Sequence, residues 1–196
     1  MDFISNHRDK VEGMNRETEA LILYDHYTGW LQIFPMAGRT GLQVALCLHK
    51  FLGSKKCKRI FSDRAPELIE GAARWNIVHD FSLPGCPQSN GVIESCVGKV
   101  SRGTRALLAA SGLPETFWPL APMSFCFAYN QHKGNNGQSP WNLRKLEEHS
   151  GLHTPFGSYV NFLPPSTTKK YLDRTKFTDR TRPGVILGYE IGYGGK

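Results

Sequence analysis

The sequence lacks the features of a membrane-spanning or secreted protein. Its 196 residues contain no apolar run that approaches the roughly 20 residues needed to cross a bilayer. Residues 1–7 do not show the basic and then apolar pattern of a secretory signal. We therefore expect an intracellular protein that has no membrane partner.

The sequence also lacks the paired cysteines of a disulfide framework or a zinc site. Its five cysteines are scattered and include no Cys-x-x-Cys pair. They are Cys47, Cys57, Cys86, Cys96 and Cys126. This pattern predicts reduced, mostly buried thiols. His149 and His153 have a spacing that can bind metal on a helix, but Gly151 lies between them, so we interpret them as loop residues.

The composition is that of a folded, basic protein. Hydrophobic residues make up 40% of the chain and aromatic residues 11%, which excludes a disordered class. Residues 166–196 hold seven Lys or Arg and three Asp or Glu, and so carry +4 of the formal net charge of +7. A basic tail on a nearly balanced body favours a polyanionic partner, although it could also serve solubility alone.

The apolar pattern predicts strands first and then alternating helices and strands. Residues 1–7 are strand-like, and residues 20–26 and 30–35 predict a hairpin. The following elements are a helix over 40–52 capped by Thr40 and ended by Gly53, a strand over 60–63, a helix starting near Pro66, and a strand over 76–83.

The second half of the chain predicts mainly helices and then short strands. Ser89 or Asn90 can cap a helix that begins near residue 91. An irregular helix is expected over 116–130 and a short one over 140–148. From about residue 156 the pattern changes to short strands, at 158–162 and 185–189, which predicts a small second β module.

The helix after residue 90 carries different chemistry on its two sides. A helical wheel places Glu94, Gly98, Arg102 and Arg105 on one side and an apolar stripe on another. An acid followed by cations suits a site where a metal ion meets a phosphate backbone. An ordinary amphipathic helix with a solvated charged side is the alternative.

Acidic residues occur at three points of this element order. Asp2 lies on the first strand, Asp63 at the end of the fourth, and Glu94 on the helix. In sheets flanked by helices, functional groups tend to lie at the carboxyl ends of strands. This placement makes Asp63 a candidate functional residue.

The motifs around these acids resemble those of the integrase of copia-type retrotransposons. They occur in family order over nearly the whole chain, at residues 61–68, 87–94, 112–118, 139–141, 156–160 and 182–189. The resemblance implies an α/β fold, with a ribonuclease H-like mixed five-stranded sheet flanked by helices in residues 1–150. It also implies a partial small β-barrel module in residues 151–196.

The resemblance assigns Asp2, Asp63 and Glu94 as the catalytic acids, which bind two Mg²⁺ or Mn²⁺ ions. The implied activity is metal-dependent polynucleotidyl transfer, in which an element's 3′ end is trimmed and then joined to target DNA. DNA and further copies of the chain are the implied partners, and the nucleus of a eukaryotic host the implied location. Asp25 lies in a more strongly patterned strand than Asp2, but the family's ligand is not on that strand, so Asp25 is interpreted as a structural hairpin residue.

Polar and basic residues near Glu94 are candidate DNA contacts. They are Gln88, Asn90, Lys99, Arg102 and Arg105. Cations along one helix suit a phosphate backbone, and a solvated helix surface is the other interpretation.

The sequence departs from the family pattern at three points, and the first and third of them favour an alternative. Arg64 stands where the family usually has Asn, which places a cation beside the proposed metal site. Asp63 and Glu94 are 94 − 63 = 31 positions apart, a short spacing for the family. The family's zinc-binding N-terminal region is also expected to be missing. The alternative is a catalytically inactive DNA-binding remnant, and a nuclease that uses only water is a third possibility.

Overall fold

The computed structural model describes residues 1–5, 11–82, 90–134, 137–151, 153–165 and 180–191. The strands in these ranges are β1 (Asp2–Ser5), β2 (Glu19–Tyr24), β3 (Leu31–Met36), β4 (Arg59–Ser62), β5 (Val78–Phe81), β6 (Tyr159–Phe162) and β7 (Arg182–Val185). The helices are α1 (Gly41–Leu52), α2 (Pro66–Ala73), α3 (Gly91–Ser111), α4 (Leu120–Gln131) and α5 (Pro140–Lys145), with a 3₁₀ turn at Glu115–Phe117.

The first five strands form two sheets rather than one. β1, β2 and β3 make an antiparallel sheet in that order, and β4 pairs with β5 in parallel. The Met1 nitrogen donates a hydrogen bond of 2.7 Å to the Phe61 carbonyl, which places the start of β1 beside β4. The mixed α/β class is thus confirmed, whereas the described residues do not show a continuous five-stranded sheet.

The β2 strand is the centre of the core because both of its faces are buried. Leu21 and Leu23 pack with Val44 and Leu48 of α1 and Leu68 of α2 on one face. On the other face, Ala20 and Ile22 pack against three side chains of α3 and one of α4. These four are Ile93, Cys96, Val100 and Cys126. Alternation along an extended strand therefore builds a three-layer arrangement of helices, sheet and helices.

Local chemistry fixes the ends of several helices, as predicted for Thr40, Gly53 and Pro66. The Thr40 hydroxyl accepts the Gln43 N–H at 3.2 Å, and Gly53 ends α1 with its N–H bonded to the His49 carbonyl. Pro66 occupies the first turn of α2, where its missing N–H costs nothing. Gly112 ends α3 in the left-handed conformation that favours glycine.

The carboxyl-terminal β residues pack on the helical body. β6 and β7 form an antiparallel pair, and Tyr189 stacks on Phe127 of α4 with ring centroids 4.2 Å apart. The strand expected over 185–189 is wrong: it ends at Val185, because pairing with β6 places the ladder over Arg182–Val185 despite Pro183. A barrel is not shown, and most of the basic tail, residues 166–179, lies outside the described residues.

The cysteines are free thiols, as predicted, wherever they are described. Cys47, Cys96 and Cys126 are buried and Cys57 is half-buried, while Cys86 lies outside the described residues. Burial raises the pKa of the Cys47 thiol to about 12. Within the described ranges, no helix is both long and apolar enough to cross a membrane.

Candidate active site

Asp2 is held on β1 by strand pairing. It lies opposite Ile22 of β2, and its Oδ1 accepts the Phe3 N–H at 2.8 Å. Burial raises the pKa of the Asp2 carboxyl, the Phe3 N–H lowers it, and the charges of Asp63 and Glu94 raise it further. The three predicted acids therefore lie in one electrostatic neighbourhood.

Asp63 follows β4 directly and is fixed by a short turn. Its Oδ1 accepts the Ala65 N–H at 3.2 Å, an arrangement that holds the carboxylate before α2 begins. Its backbone carbonyl accepts the Ser62 hydroxyl at 2.8 Å. The turn thus constrains both the side chain and the main chain of this residue.

His79 of β5 supports this turn from the neighbouring strand. Its Nε2 lies 2.7 Å from the Ser62 hydroxyl oxygen. Since the single hydroxyl hydrogen goes to Asp63, Nε2 is assigned as the donor and Nδ1 as the unprotonated nitrogen. Desolvation lowers the pKa of His79, which favours this neutral form.

Glu94 is mounted on the first turn of α3. Its N–H bonds to the Asn90 carbonyl at 3.1 Å, and its side chain is exposed. A carboxylate in the first helical turn is favoured by the helix dipole, by about 0.3–1 kcal/mol. Asn90 occupies the N-cap position as predicted, but its side chain does not cap the helix, and its buried Oδ1 finds no partner among the described residues.

The ligand chemistry of these acids fits hard divalent cations. Three carboxylates offer only oxygen atoms, which Mg²⁺ and Mn²⁺ prefer. Asp2 and Asp63 each engage one carboxylate oxygen with a backbone N–H. Within the described residues, however, no three His, Cys, Asp or Glu side chains lie close enough together to hold one metal ion. The structure brings the acids into one neighbourhood without setting ligating distances.

Asp25 has a structural environment, as the hairpin interpretation predicts. Its Oδ1 accepts the Tyr27 N–H at 3.0 Å, and its Oδ2 accepts the Thr28 hydroxyl at 2.7 Å. The Arg144 guanidinium from α5 lies 3.3 Å from the same Oδ2. These contacts close the β2–β3 turn and leave the carboxylate occupied by protein groups.

Arg64 is exposed and lies next to Asp63, but its guanidinium is turned toward β5. The guanidinium carbon lies 5.5 Å from the centre of the Phe81 ring. This is within the distance for a cation–π contact. The extra cation therefore has a partner other than the Asp63 carboxylate.

The predicted DNA contacts on α3 face solvent. Lys99, Arg102 and Arg105 are exposed, and a terminal nitrogen of Arg102 lies 3.3 Å from where a Cβ on Gly98 would be. Arg102 therefore folds back along the helix toward the turn that carries Glu94. Gln88 lies outside the described residues, so its predicted role stays a prediction.

Sequence reasoning missed Arg144 and the pair formed by Ser62 and His79. Arg144 is 3% exposed and is stacked on Trp30 and Phe51. No local pattern marks an arginine 119 positions from its acidic partner. The predicted strand over 76–83 contains His79, but nothing in its pattern indicated a contact with Ser62.

Comparisons with known proteins agree with the motif resemblance. No protein-family model matches the chain. It is 28% identical, over 71% of its length, to the retrovirus-related Pol polyprotein from transposon TNT 1-94 of Nicotiana tabacum. It is 25% identical, over 87% of its length, to the retrovirus-related Pol polyprotein from transposon RE1 of Arabidopsis thaliana. The chain spans only 11% and 12% of the lengths of these two relatives.

The fold agrees with that of a solved enzyme domain. The catalytic core domain of BIV integrase superposes with a TM-score of 0.50 and 19% sequence identity, over 63% of this chain and 83% of that one. At this identity the likeness shows the fold alone. The resemblance to copia-type integrases is thereby confirmed: the chain is a relative of copia-type retrotransposon Pol polyproteins and has the fold of a retroviral integrase catalytic core.

Proposed function

We propose that this chain is the catalytic domain of a retrotransposon integrase and performs metal-dependent polynucleotidyl transfer on DNA. One observation carries the proposal: the Met1 nitrogen bonds to the Phe61 carbonyl at 2.7 Å, which brings β1 with Asp2 beside β4, where Asp63 directly follows the strand. Glu94 lies on α3, whose Ile93 packs with Ala20 and Ile22 of β2, the strand paired with β1. The charges of Asp63 and Glu94 raise the pKa of Asp2, in agreement with this placement. The similarity to Pol polyproteins supports the same reaction class.

The three acids would hold Mg²⁺ or Mn²⁺. Two such ions stabilise the charge on the attacking and leaving oxygens of a phosphodiester. The protein's own contribution is positioning: β1 fixes Asp2, the turn after β4 fixes Asp63, and α3 fixes Glu94. In the proposed reaction, water first attacks a phosphodiester near the element's end. The freed 3′-hydroxyl then attacks a phosphodiester of target DNA, so that a new P–O bond forms as the bond to the target strand's 3′-oxygen breaks and that oxygen leaves as a 3′-hydroxyl, with no covalent enzyme intermediate.

We further propose that residues 1–150 are the catalytic core and residues 151–196 part of a small C-terminal β module. The antiparallel pairing of β6 and β7 supports a β module there. Homo-oligomerisation and action in a nucleus remain part of the same proposal.

The function is tested by incubating the purified chain with supercoiled plasmid DNA and labelled oligonucleotide duplexes in Mg²⁺ or Mn²⁺. We expect metal-dependent nicking together with covalent joining of the oligonucleotide to the plasmid, both abolished by EDTA. Nicking without joining would indicate a nuclease that uses only water. The absence of both nicking and joining would contradict the proposal.

Arg64 favours a second candidate, a catalytically inactive DNA-binding remnant. It adds a positive charge one residue from Asp63, and that charge opposes cation binding. If the wild-type chain binds DNA but does not cut it, Arg64→Asn distinguishes a site blocked by this cation from one that has decayed elsewhere. Recovered cleavage in the variant would identify the cation as the cause.

DNA binding by α3 should appear in the salt dependence. Arg102→Ala and Arg105→Ala should each weaken binding of a DNA duplex and reduce the slope of log affinity against log salt by about 1, because each loses one phosphate contact. Fluorescence anisotropy over a salt series measures this slope.

Arg74→Ala is the matched control for these variants. Arg74 is an exposed arginine directly after the last residue of α2 and is paired with Glu70, and α2 packs on the opposite face of the sheet. Its removal should leave the slope unchanged. If all three variants give the wild-type slope, α3 does not contact the DNA backbone.

A further inference from the structure

His79 of β5 is a half-buried imidazole with one bonded and one unpaired nitrogen. Its Nε2 lies 2.7 Å from the Ser62 hydroxyl oxygen, whereas its buried Nδ1 finds no partner among the described residues. A buried nitrogen without a partner costs free energy, so packing alone would favour an apolar side chain at this position. The contact with Ser62 is therefore what a histidine adds here.

The strand register places His79 and Ser62 on the same face of the parallel pair. Ile60 of β4 lies opposite His79, and Ser62 follows two residues later on the same side of the strand. The imidazole thus reaches along β4 toward its carboxyl end. The Ser82 N–H also donates to the Ser62 carbonyl at 2.9 Å. Ser62 is fully buried, and the β5 segment holds both its side chain and its main chain.

The order of donors makes the Ser62 hydroxyl a relay between His79 and Asp63. The hydroxyl has one hydrogen, which it donates to the Asp63 carbonyl at 2.8 Å, so its oxygen can accept from the imidazole Nε2–H. A donor at residue 79 prevents the hydroxyl from turning its hydrogen toward the imidazole instead. Hydrogen bonds in such a chain polarise and strengthen one another. The imidazole therefore keeps the hydroxyl bonded to the Asp63 main chain.

The carbonyl and the carboxylate of Asp63 belong to one tight turn. The carboxylate Oδ1 accepts the Ala65 N–H at 3.2 Å, and the Ala65 carbonyl accepts the Leu68 N–H at 3.0 Å, where α2 begins. The carboxylate is thus tied to the same few backbone groups that the relay holds. A main chain fixed at this point also fixes the direction in which the carboxylate points.

Phe81, the last residue of β5, packs against the imidazole. The two ring centres lie 4.4 Å apart. The Arg64 guanidinium carbon lies 5.5 Å from the same Phe81 ring. Two side chains of β5 thus act on consecutive residues of the turn, His79 on Asp63 through Ser62 and Phe81 on Arg64. Packing by Phe81 limits the freedom of the imidazole to turn away from Ser62.

We propose that His79 is a positioning residue of the active site, which acts through Ser62 to hold the Asp63 carboxylate in the orientation that binds a divalent cation. The inference rests on the proposed function, because the cation is the ligand that Asp63 would hold. A residue that orients a metal ligand typically contributes about 10–100-fold to metal affinity or activity. The alternative is that His79 only stabilises the fold.

The metal affinity of substituted proteins tests the relay. In His79→Asn the shorter side chain cannot reach Ser62, whereas in His79→Gln an amide N–H lies near the position of Nε2. We expect calorimetry to show Mn²⁺ affinity reduced by at least about tenfold in His79→Asn and by less than about threefold in His79→Gln. Ser62→Ala should lose as much as His79→Asn, and the double variant no more than either, because each breaks the same relay.

Ile60→Val is the control for a purely structural effect. It trims a buried side chain opposite His79 in the register, so it should lower the melting temperature without changing Mn²⁺ affinity. Amide hydrogen exchange gives a readout that needs no metal. The Ala65 N–H donates to the Asp63 carboxylate, so its exchange should speed up by about tenfold in His79→Asn and stay near wild type in His79→Gln.

The outcomes distinguish failure of this inference from failure of the proposed function. If the wild type binds Mn²⁺, equal binding by His79→Asn, or an equal loss in His79→Gln, overturns only the positioning role. Additive losses in the double variant, or the same loss in Ile60→Val, overturn it as well. If the wild type binds no metal, the proposed function fails, and the exchange of Ala65 alone decides whether the relay holds the turn.

Discussion

Asp63→Asn and Glu94→Gln should each reduce metal-dependent DNA cleavage by at least about 100-fold. Removing a residue that only supports a metal ligand already costs about 10–100-fold in metal affinity or activity, and a direct ligand should cost no less. Asp2→Asn should have an equal effect, because Asp2 is proposed as the third carboxylate ligand of the same site. Initial rates on labelled duplex DNA measure the loss.

Two carboxylates serve as matched controls for these substitutions. Asp80 lies on the strand next to Asp63 and is paired with Arg59 at 2.8 Å, so Asp80→Asn should keep cleavage within a few-fold of wild type. The folded fraction of the Asp25→Asn variant should still cleave DNA in a metal-dependent way. Full activity in Asp2→Asn together with loss in Asp25→Asn would show that the first catalytic acid has been misassigned.

Asp25→Ala should lower the free energy of unfolding by about 3 kcal/mol. The substitution leaves the Arg144 guanidinium in the core without its counter-ion, and removing one partner of a buried pair typically costs about 3–5 kcal/mol. We expect the lower end because the Asp25 side chain is 29% exposed. Loss of the hydrogen bonds from Tyr27 and Thr28 contributes to the same figure.

A double-mutant cycle separates the charge from the packing. In the wild type, the guanidinium carbon of Arg144 lies 5.2 Å from the Trp30 ring centre and 4.6 Å from the Phe51 ring centre. Arg144→Met keeps an apolar stem against these two rings. Adding this change to Asp25→Ala should recover part of the lost stability, since no buried charge remains unpaired. Urea denaturation with an unchanged m-value measures all four proteins. Strictly additive losses would show that the pair is not coupled.

Features set by neighbours in the chain were predictable from the sequence. The cap at Thr40, the ends of α1 and α3 at Gly53 and Gly112, and the entry of α2 at Pro66 each depend on residues within one turn. The buried run of β2 was equally visible, since consecutive apolar residues are typical of a central strand. Local propensity and pattern suffice for these elements.

Features that depend on distant contacts were not predictable. The division into two sheets depends on whether β1 reaches along β4, and strand pairing of this kind has no local signal. The position of β7 is set by its register with β6 across an intervening basic segment. Arg144 looks like an ordinary helix-end cation until the fold brings it to Asp25.

The candidate site divides in the same way. Asp63 and Glu94 stand in recognisable motifs, so their assignment followed from the sequence, and together with Asp2 it stays a prediction. Ser62 and His79, which support Asp63, lie on two parallel strands and are 17 positions apart in the sequence. No motif marked this contact. The predicted DNA contact of Gln88 is supported by the sequence alone, because Gln88 lies outside the described residues.

Metal binding by the purified chain tests the central claim most directly. Calorimetric titration of Mg²⁺ and Mn²⁺ into the wild type, Asp63→Asn and Glu94→Gln, with Asp80→Asn as the control, compares the proposed ligands with a neighbouring carboxylate. We predict binding by the wild type and the control and none by the other two. Absence of binding by the wild type, or unchanged binding in Asp63→Asn and Glu94→Gln, would contradict a metal-dependent active site formed by these acids.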